Sequence, residues 1–212
     1  MKTREHYIQL VAILLIWLFH VSGIIGISVG FKEWFISKTS LNLLCCTLIF
    51  FVVFPMDTKK KWGLFGLFFF IGMFVEWLGA NYSLLFGSYD YGTNLGWKLD
   101  GVPYFIGINW ALLTFVSGII AQKLHHSLFL QAAIGAALMV GLDYFMEQSA
   151  PSFDFWSFGE HVPLSNYVTW FVIAYLFQLV FQGLKIKGNL PLSLHLFLAQ
   201  LVFFAYFTLF PH

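Results

Sequence analysis

Charge is what this sequence has least of. Asp, Glu, Lys and Arg make up 10% of its 212 residues, against roughly a quarter in a soluble domain, while 59% are hydrophobic. That shortage excludes an ordinary water-soluble fold and makes the bilayer the solvent. A basic surplus is missing too: 11 basic against 10 acidic residues leave a net charge of +1, so nucleic acid is not an expected partner. Cysteine is limited to Cys45 and Cys46, adjacent in an apolar run, where neighbouring side chains diverge around a helix and cannot build a metal site. Both are expected to be packing residues. No fixed-period repeat or low-complexity segment appears. The last apolar run, LPLSLHLFLAQLVFFAYFTLF, lacks the lysine that a retinal Schiff base would need.

What the sequence does have is long apolar runs, at about 7–29, 41–55, 63–85, 103–121, 127–147, 164–184 and 190–210. They predict an all-α, polytopic integral membrane bundle of about seven transmembrane helices, forming a single domain over residues 1–212. The run at 41–55 is short, which leaves six crossings open. The first run follows Lys2 and Arg4 as the core of a signal peptide would. It is long, however, and has no convincing small-residue cleavage site, so it is expected to stay as the first helix.

With seven crossings, eight basic residues share one side: Lys2, Arg4, Lys59, Lys60, Lys61, Lys123, Lys185 and Lys187. Lys32, Lys38 and Lys98 lie on the other. The positive-inside rule then predicts a cytoplasmic N-terminus and an outside C-terminus, in a bacterial or archaeal cell membrane. Asp90, Asp100, Asp154 and Glu160 fall in the two outer loops, so one face is expected to hold the chemistry.

Three further carboxylates stand where lipid or apolar core should be. Glu76 interrupts FFFIGMFVEWLGANYSLLF, and Asp143 and Glu147 sit four apart, on one helical face, in GLDYFMEQ. Such groups cost several kcal/mol unless protonated, paired or facing water. Glu76 and Asp143 lie about 13 and 16 residues into their spans from the cytoplasmic side, which at ~1.5 Å per residue is a similar depth. The sequence therefore predicts that they face each other across a cleft. Apolar surroundings and a neighbouring carboxylate both favour the neutral acid, so at least one of the three is expected to be a proton donor. The bland reading is a set of bundle-fastening hydrogen bonds to Asn81, Asn109 and Asn166 or a pairing with Lys98. His20 and His195, each alone in its span, are expected to be hydrogen-bonded packing residues.

The segments Gly87 to Trp110 and Ser149 to Phe171 are too polar and Gly-rich for continuous helix, yet too aromatic for freely solvated loop. Each reads as a folded cap ending in Val-Pro, with Pro103 and Pro163 fitting a first helical turn. Their Trp and Tyr residues suit an interfacial belt, and equally a ring-lined pocket that holds a polyene and steadies a carbocation.

Glu76-Trp77-Leu78-Gly79, Gly87-x-Tyr89-x-Tyr91 and Gly96-x-Lys98-Leu99-x-Gly101-Val102-Pro103 with Trp110 resemble the membrane carotenoid hydratases. That CruF-like family includes the archaeal bisanhydrobacterioruberin hydratases. A second block agrees: Asp143, Trp156, Val162-Pro163-Leu164, Asn166 and Trp170. One departure is Glu147-Gln148, where the family pattern has Asp-Pro. The resemblance implies addition of water across the terminal C1=C2 double bond of an acyclic carotenoid end group, giving a tertiary alcohol without a cofactor or metal. Glu76, Asp143 and Glu147 would be the acid and base groups. Asn81, Tyr89, Asp90, Tyr91, Trp97, Lys98, Asp100, Trp110, Trp156, Asn166 and Trp170 would line or support the substrate site. The expected partners are an acyclic or monocyclic polyene and membrane lipid. A carotenoid cyclase would share the protonation step, and a membrane transporter or structural protein is the non-enzymatic alternative. A magnesium-dependent prenyltransferase fits poorly, since a second acidic cluster and basic phosphate partners are absent nearby.

Overall fold

The computed structural model describes residues 2–159 and 161–211 and is almost wholly helical. Its helices are α1 (Lys2–Ser28), α2 (Lys32–Ile36), α3 (Thr39–Val53), α4 (Lys59–Tyr82), α5 (Tyr104–Leu124), α6 (Leu128–Ser149), α7 (Leu164–Gly183) and α8 (Leu190–Leu209). Six of them are long and apolar enough to cross a bilayer. The exceptions are the short α2 and α3, which at 15 residues is about 22 Å long.

α3 nevertheless runs from one end of the bundle to the other. At its start Ser40 donates to the Asn94 carbonyl in the first cap, 3.1 Å away. Its last residues, with Pro55, share a cavity with Glu5, His6 and Asn189 at the opposite end. That opposite end is tied together by Asn189 donating to Gln9 at 2.7 Å and Lys60 donating to the Leu184 carbonyl at 3.0 Å. The N-terminus and the loops after α3 and α7 therefore share one end, and both caps share the other. This is the up-and-down order that seven crossings require.

α5 is the axis of the bundle, buried from Asn109 to Ala121 on every side. It is fastened to α7 by amides rather than by shape alone. Gln178 donates to the Thr114 carbonyl and to Ser117 Oγ, both at 2.9 Å, and Gln182 donates to the Gly118 carbonyl at 3.0 Å. In an apolar interior these bonds satisfy groups that would otherwise face hydrocarbon. α1 pairs with α8 through Trp17 donating to His195 at 3.0 Å, and His20 is bonded to the Ile16 carbonyl at 2.7 Å. Both histidines thus have the packing role expected of them. Cys45 and Cys46 are free thiols.

The caps contain the strand structure of the described residues. β1 (Tyr89–Tyr91) pairs antiparallel with β4 (Trp156–Phe158), setting Tyr89 against Phe158 and Tyr91 against Trp156. β2 (Lys98–Leu99) and β3 (Val102–Pro103) form a hairpin whose two turn residues, Asp100 and Gly101, both have positive φ, 46° and 87°. An Asp-Gly pair suits that turn because it needs left-handed backbone at both positions. Pro103 and Pro163 stand one residue before α5 and α7 with extended backbone, rather than inside the first turn. Glu160 lies outside the described residues.

Candidate active site

Helix periodicity brings the three intramembrane carboxylates inward. On α6, Ala132, Ala136, Met139, Asp143 and Glu147 recur at three- and four-residue steps, and all are buried. On α4, Gly72, Glu76 and Gly79 make a similar stripe, in which two glycines leave room for large partners. A Cβ at Gly72 would stand 2.7 Å from the Trp110 Cβ, and one at Gly79 would stand 2.6 Å from the Tyr89 hydroxyl. The missing side chains let Trp110 and Tyr89 close over Glu76.

They do close over it. Glu76 Oε2 accepts from the hydroxyls of Tyr89 at 2.6 Å and Tyr91 at 2.7 Å, while Oε1 accepts from the Trp110 indole at 2.9 Å. Glu147 is held by two donors, the Trp156 indole at 2.7 Å on Oε2 and the Asn166 amide at 2.9 Å on Oε1. Asp143 differs. It is 2% exposed, and its Oδ2 has no hydrogen-bond partner. Asn109 Oδ1, on α5, is likewise buried and unpartnered. No lysine or arginine of the described residues forms an ion pair with any of the three acids; the Lys61–Asp57 pair at 2.8 Å belongs to the opposite end.

These groups surround one small cavity. Glu76, Asp143, Glu147, Asn109 and Asn166 line it with Tyr89, Tyr91, Trp156 and Trp170, and its volume is about 20 Å³. A water needs at least ~10–15 Å³ and two to four polar partners, so the space suits a single water. The ring of Trp170 stacks on Trp110 with centroids 3.7 Å apart and planes 11° from parallel. Burial first, and then the negative Glu76 beside them, push the Tyr89 and Tyr91 phenols well above the ordinary tyrosine range, so both remain O–H donors.

Of the residues singled out in the sequence, the structure brings Glu76, Asp143, Glu147, Tyr89, Tyr91, Trp110, Trp156, Asn166 and Trp170 together. It places the other five elsewhere. Trp97 is 88% exposed and points away. Asp90 is exposed on β1. Lys98 donates to the Tyr91 carbonyl at 2.7 Å, bracing β1 from outside rather than pairing with a carboxylate. Asp100 accepts from the Trp77 indole at 2.6 Å, and Asn81 donates to the Asp100 carbonyl at 3.0 Å, so this trio pins the hairpin to the end of α4.

Asp154, read in the sequence only as an outer-loop acid, locks the two caps. Its Oδ2 accepts from the Thr93 amide at 2.8 Å and the Thr93 hydroxyl at 2.6 Å, and those bonds hold its carboxyl below the usual range. Across the same junction Asn94 donates to the Phe153 carbonyl at 3.0 Å. The sequence signal for this lock was weak, a Thr-Asn pair and a lone Asp in separate loops.

A family model described as carotenoid biosynthesis protein matches residues 37–210. The chain belongs to that family. No curated protein and no solved structure matches it. The carotenoid biosynthesis match takes in α3 to α8 and every residue lining the small cavity, and it leaves α1 and α2 outside. No three metal-ligating side chains of the described residues are grouped as a metal ion would require.

Proposed function

We propose that this chain is a carotenoid hydratase that adds water across the terminal C1=C2 double bond of an acyclic end group. The observation carrying the reading is the cavity itself, with room for one water among three carboxyl groups, one of which has an oxygen that nothing else engages.

The hydrogen bonds support a division of labour. All four oxygens of Glu76 and Glu147 accept, as carboxylates do, whereas nothing donates to Asp143 Oδ2. Asp143 is therefore the general acid in this reading. Its proton goes to C2, the C1=C2 electron pair forms the new C–H bond, and a tertiary cation is left at C1. Trp170, whose ring lines the cavity with Trp110 stacked behind it, and Glu76 in the same lining offer that cation a stabilising field. Water then bonds to C1 and releases a proton to Glu147. Glu147 and Asp143 are one helical turn apart on α6, so the proton returns to its starting carboxyl, and the sum is one water added. Glu76, tied by three donors, fixes the geometry and the charge and is assigned no proton transfer.

Expression in a bacterium that makes lycopene tests the reading. The expected product is heavier by one water and carries label from ¹⁸O-water. A product of unchanged mass with a ring at its end would replace hydratase by cyclase, and the absence of any new carotenoid from every acyclic end group offered would remove the reading.

A further inference from the structure

The small cavity lies beneath the caps, and it has a mostly apolar neighbour. A chamber of about 70 Å³ adjoins it, and the two share Ile106, Asn109, Met146 and Trp156 as common wall. That chamber in turn shares Thr39, Asn42 and Phe203 with a wider cleft of about 330 Å³ between α1, α2 and α3. The cleft ends at the bundle surface beside Trp34 and Leu41, which are 59% and 57% exposed. Three spaces thus form a series from lipid to carboxylates, widest at the outside and narrowest at the acid.

An extended polyene is stiff and cannot fold itself into a buried site, so its reactive terminus must arrive end-on through a passage that matches its width and polarity. The lining supplies the polarity, with Ile27, Phe35 and Phe203 in the cleft and Leu43, Phe155 and Phe204 in the chamber. At the inner end stands Asn109, buried and with its Oδ1 unpartnered, where the apolar passage gives way to the water-sized cavity. The outer wall is made by Phe19, Ser22 and Gly23 of α1, from the part of the chain that precedes the family match.

We propose that the polyene enters sideways from the bilayer between α1 and α3 and lies along this series of cavities. Only its last few carbons reach the carboxylates, and the α1 wall selects which chain ends pass. The proposal rests on the hydratase reading for the chemistry at the inner end, but the passage itself can be tested without turnover.

The probe is lycopene, and the protein is full-length Asp143→Asn in nanodiscs. Binding is read from the shift and induced circular dichroism of the polyene absorption. Ser22→Trp and Cys45→Trp, which put an indole into the cleft, are expected to weaken binding at least about tenfold. Leu44→Trp, on the lipid-facing side of the same helix, is expected to leave it unchanged. In the otherwise unaltered chain, lycopene should protect Cys45 from a lipophilic maleimide, which needs no plug to fold; Cys46 is buried. Full binding by both plugged variants together with unprotected Cys45 would overturn the passage. Blocked binding in the plugged variants, together with no hydration by the chain that retains Asp143, would leave the passage standing and remove the hydratase reading. Hydration that persists at the wild-type rate when both plugs are placed in the chain that retains Asp143 would do the reverse.

Discussion

At the scale of single residues the site is an arrangement of unequal carboxyl groups. Asp143→Asn removes the one with an oxygen free to carry and give a proton. Product formation in a lycopene-making host is expected to fall by about 100-fold or more, with the protein still inserted and monodisperse. Trp110→Phe acts differently, because it leaves Glu76 Oε1 without its donor. Loss of a hydrogen bond to a charged group costs about 1.5–3 kcal/mol, which a detergent-resistance melting curve would register. The two tyrosines give a pH signature. Their phenols ionise less readily in the folded protein than in the unfolded chain, so the stability they lend is complete below about pH 10 and erodes as the pH rises further. Tyr89→Phe with Tyr91→Phe should flatten that alkaline limb of the stability profile. An unchanged limb would mean that other groups govern it.

At the scale of elements the site depends on what α4 omits. Gly79→Ala forces the Tyr89 hydroxyl and the ring of Phe86, 2.6 and 2.7 Å from the added methyl, to move off Glu76. An overpacking loss of about 1–3 kcal/mol is expected. Gly63→Ala, on the same helix with nothing within 4 Å, should be neutral or stabilising, and comparative melting of the two variants checks the pair. This glycine stripe also marks how far the sequence could be read. Helix order, the shared face of Asp143 and Glu147, and the matching depth of Glu76 follow from period and length, which are local properties. The donors on Glu76 and Glu147 were legible as aromatic and amide residues, but not as donors to particular oxygens. That assignment depends on β1 meeting β4 across distant loops, for which no local pattern exists. The same reason explains Lys98, Asp100 and Asn81. Their composition suited a pocket mouth, and the Asp-Gly turn put Lys98 and Asp100 on a hairpin that Asn81 pins to the end of α4 instead.

At the scale of the whole molecule, two caps on one end and most of the basic residues at the other define an oriented protein. Positive charge at the end carrying Lys59, Lys60, Lys61, Lys185 and Lys187 predicts that this end is cytoplasmic. Reporters fused at the N- and C-termini should report opposite sides of the membrane, the N-terminal one cytoplasmic, and reporters on the same side would refute seven crossings. The bundle is also uneven in height. α3 is about 22 Å long among neighbours of 20 residues or more, whereas a typical hydrocarbon layer is about 30 Å thick. Lipid beside α3 must therefore thin or tilt to meet it, at the flank where the cleft opens. Hydrophobic mismatch there would make bilayer thickness a control on activity. Reconstitution into short-chain lipids should speed turnover relative to long-chain lipids at equal substrate load.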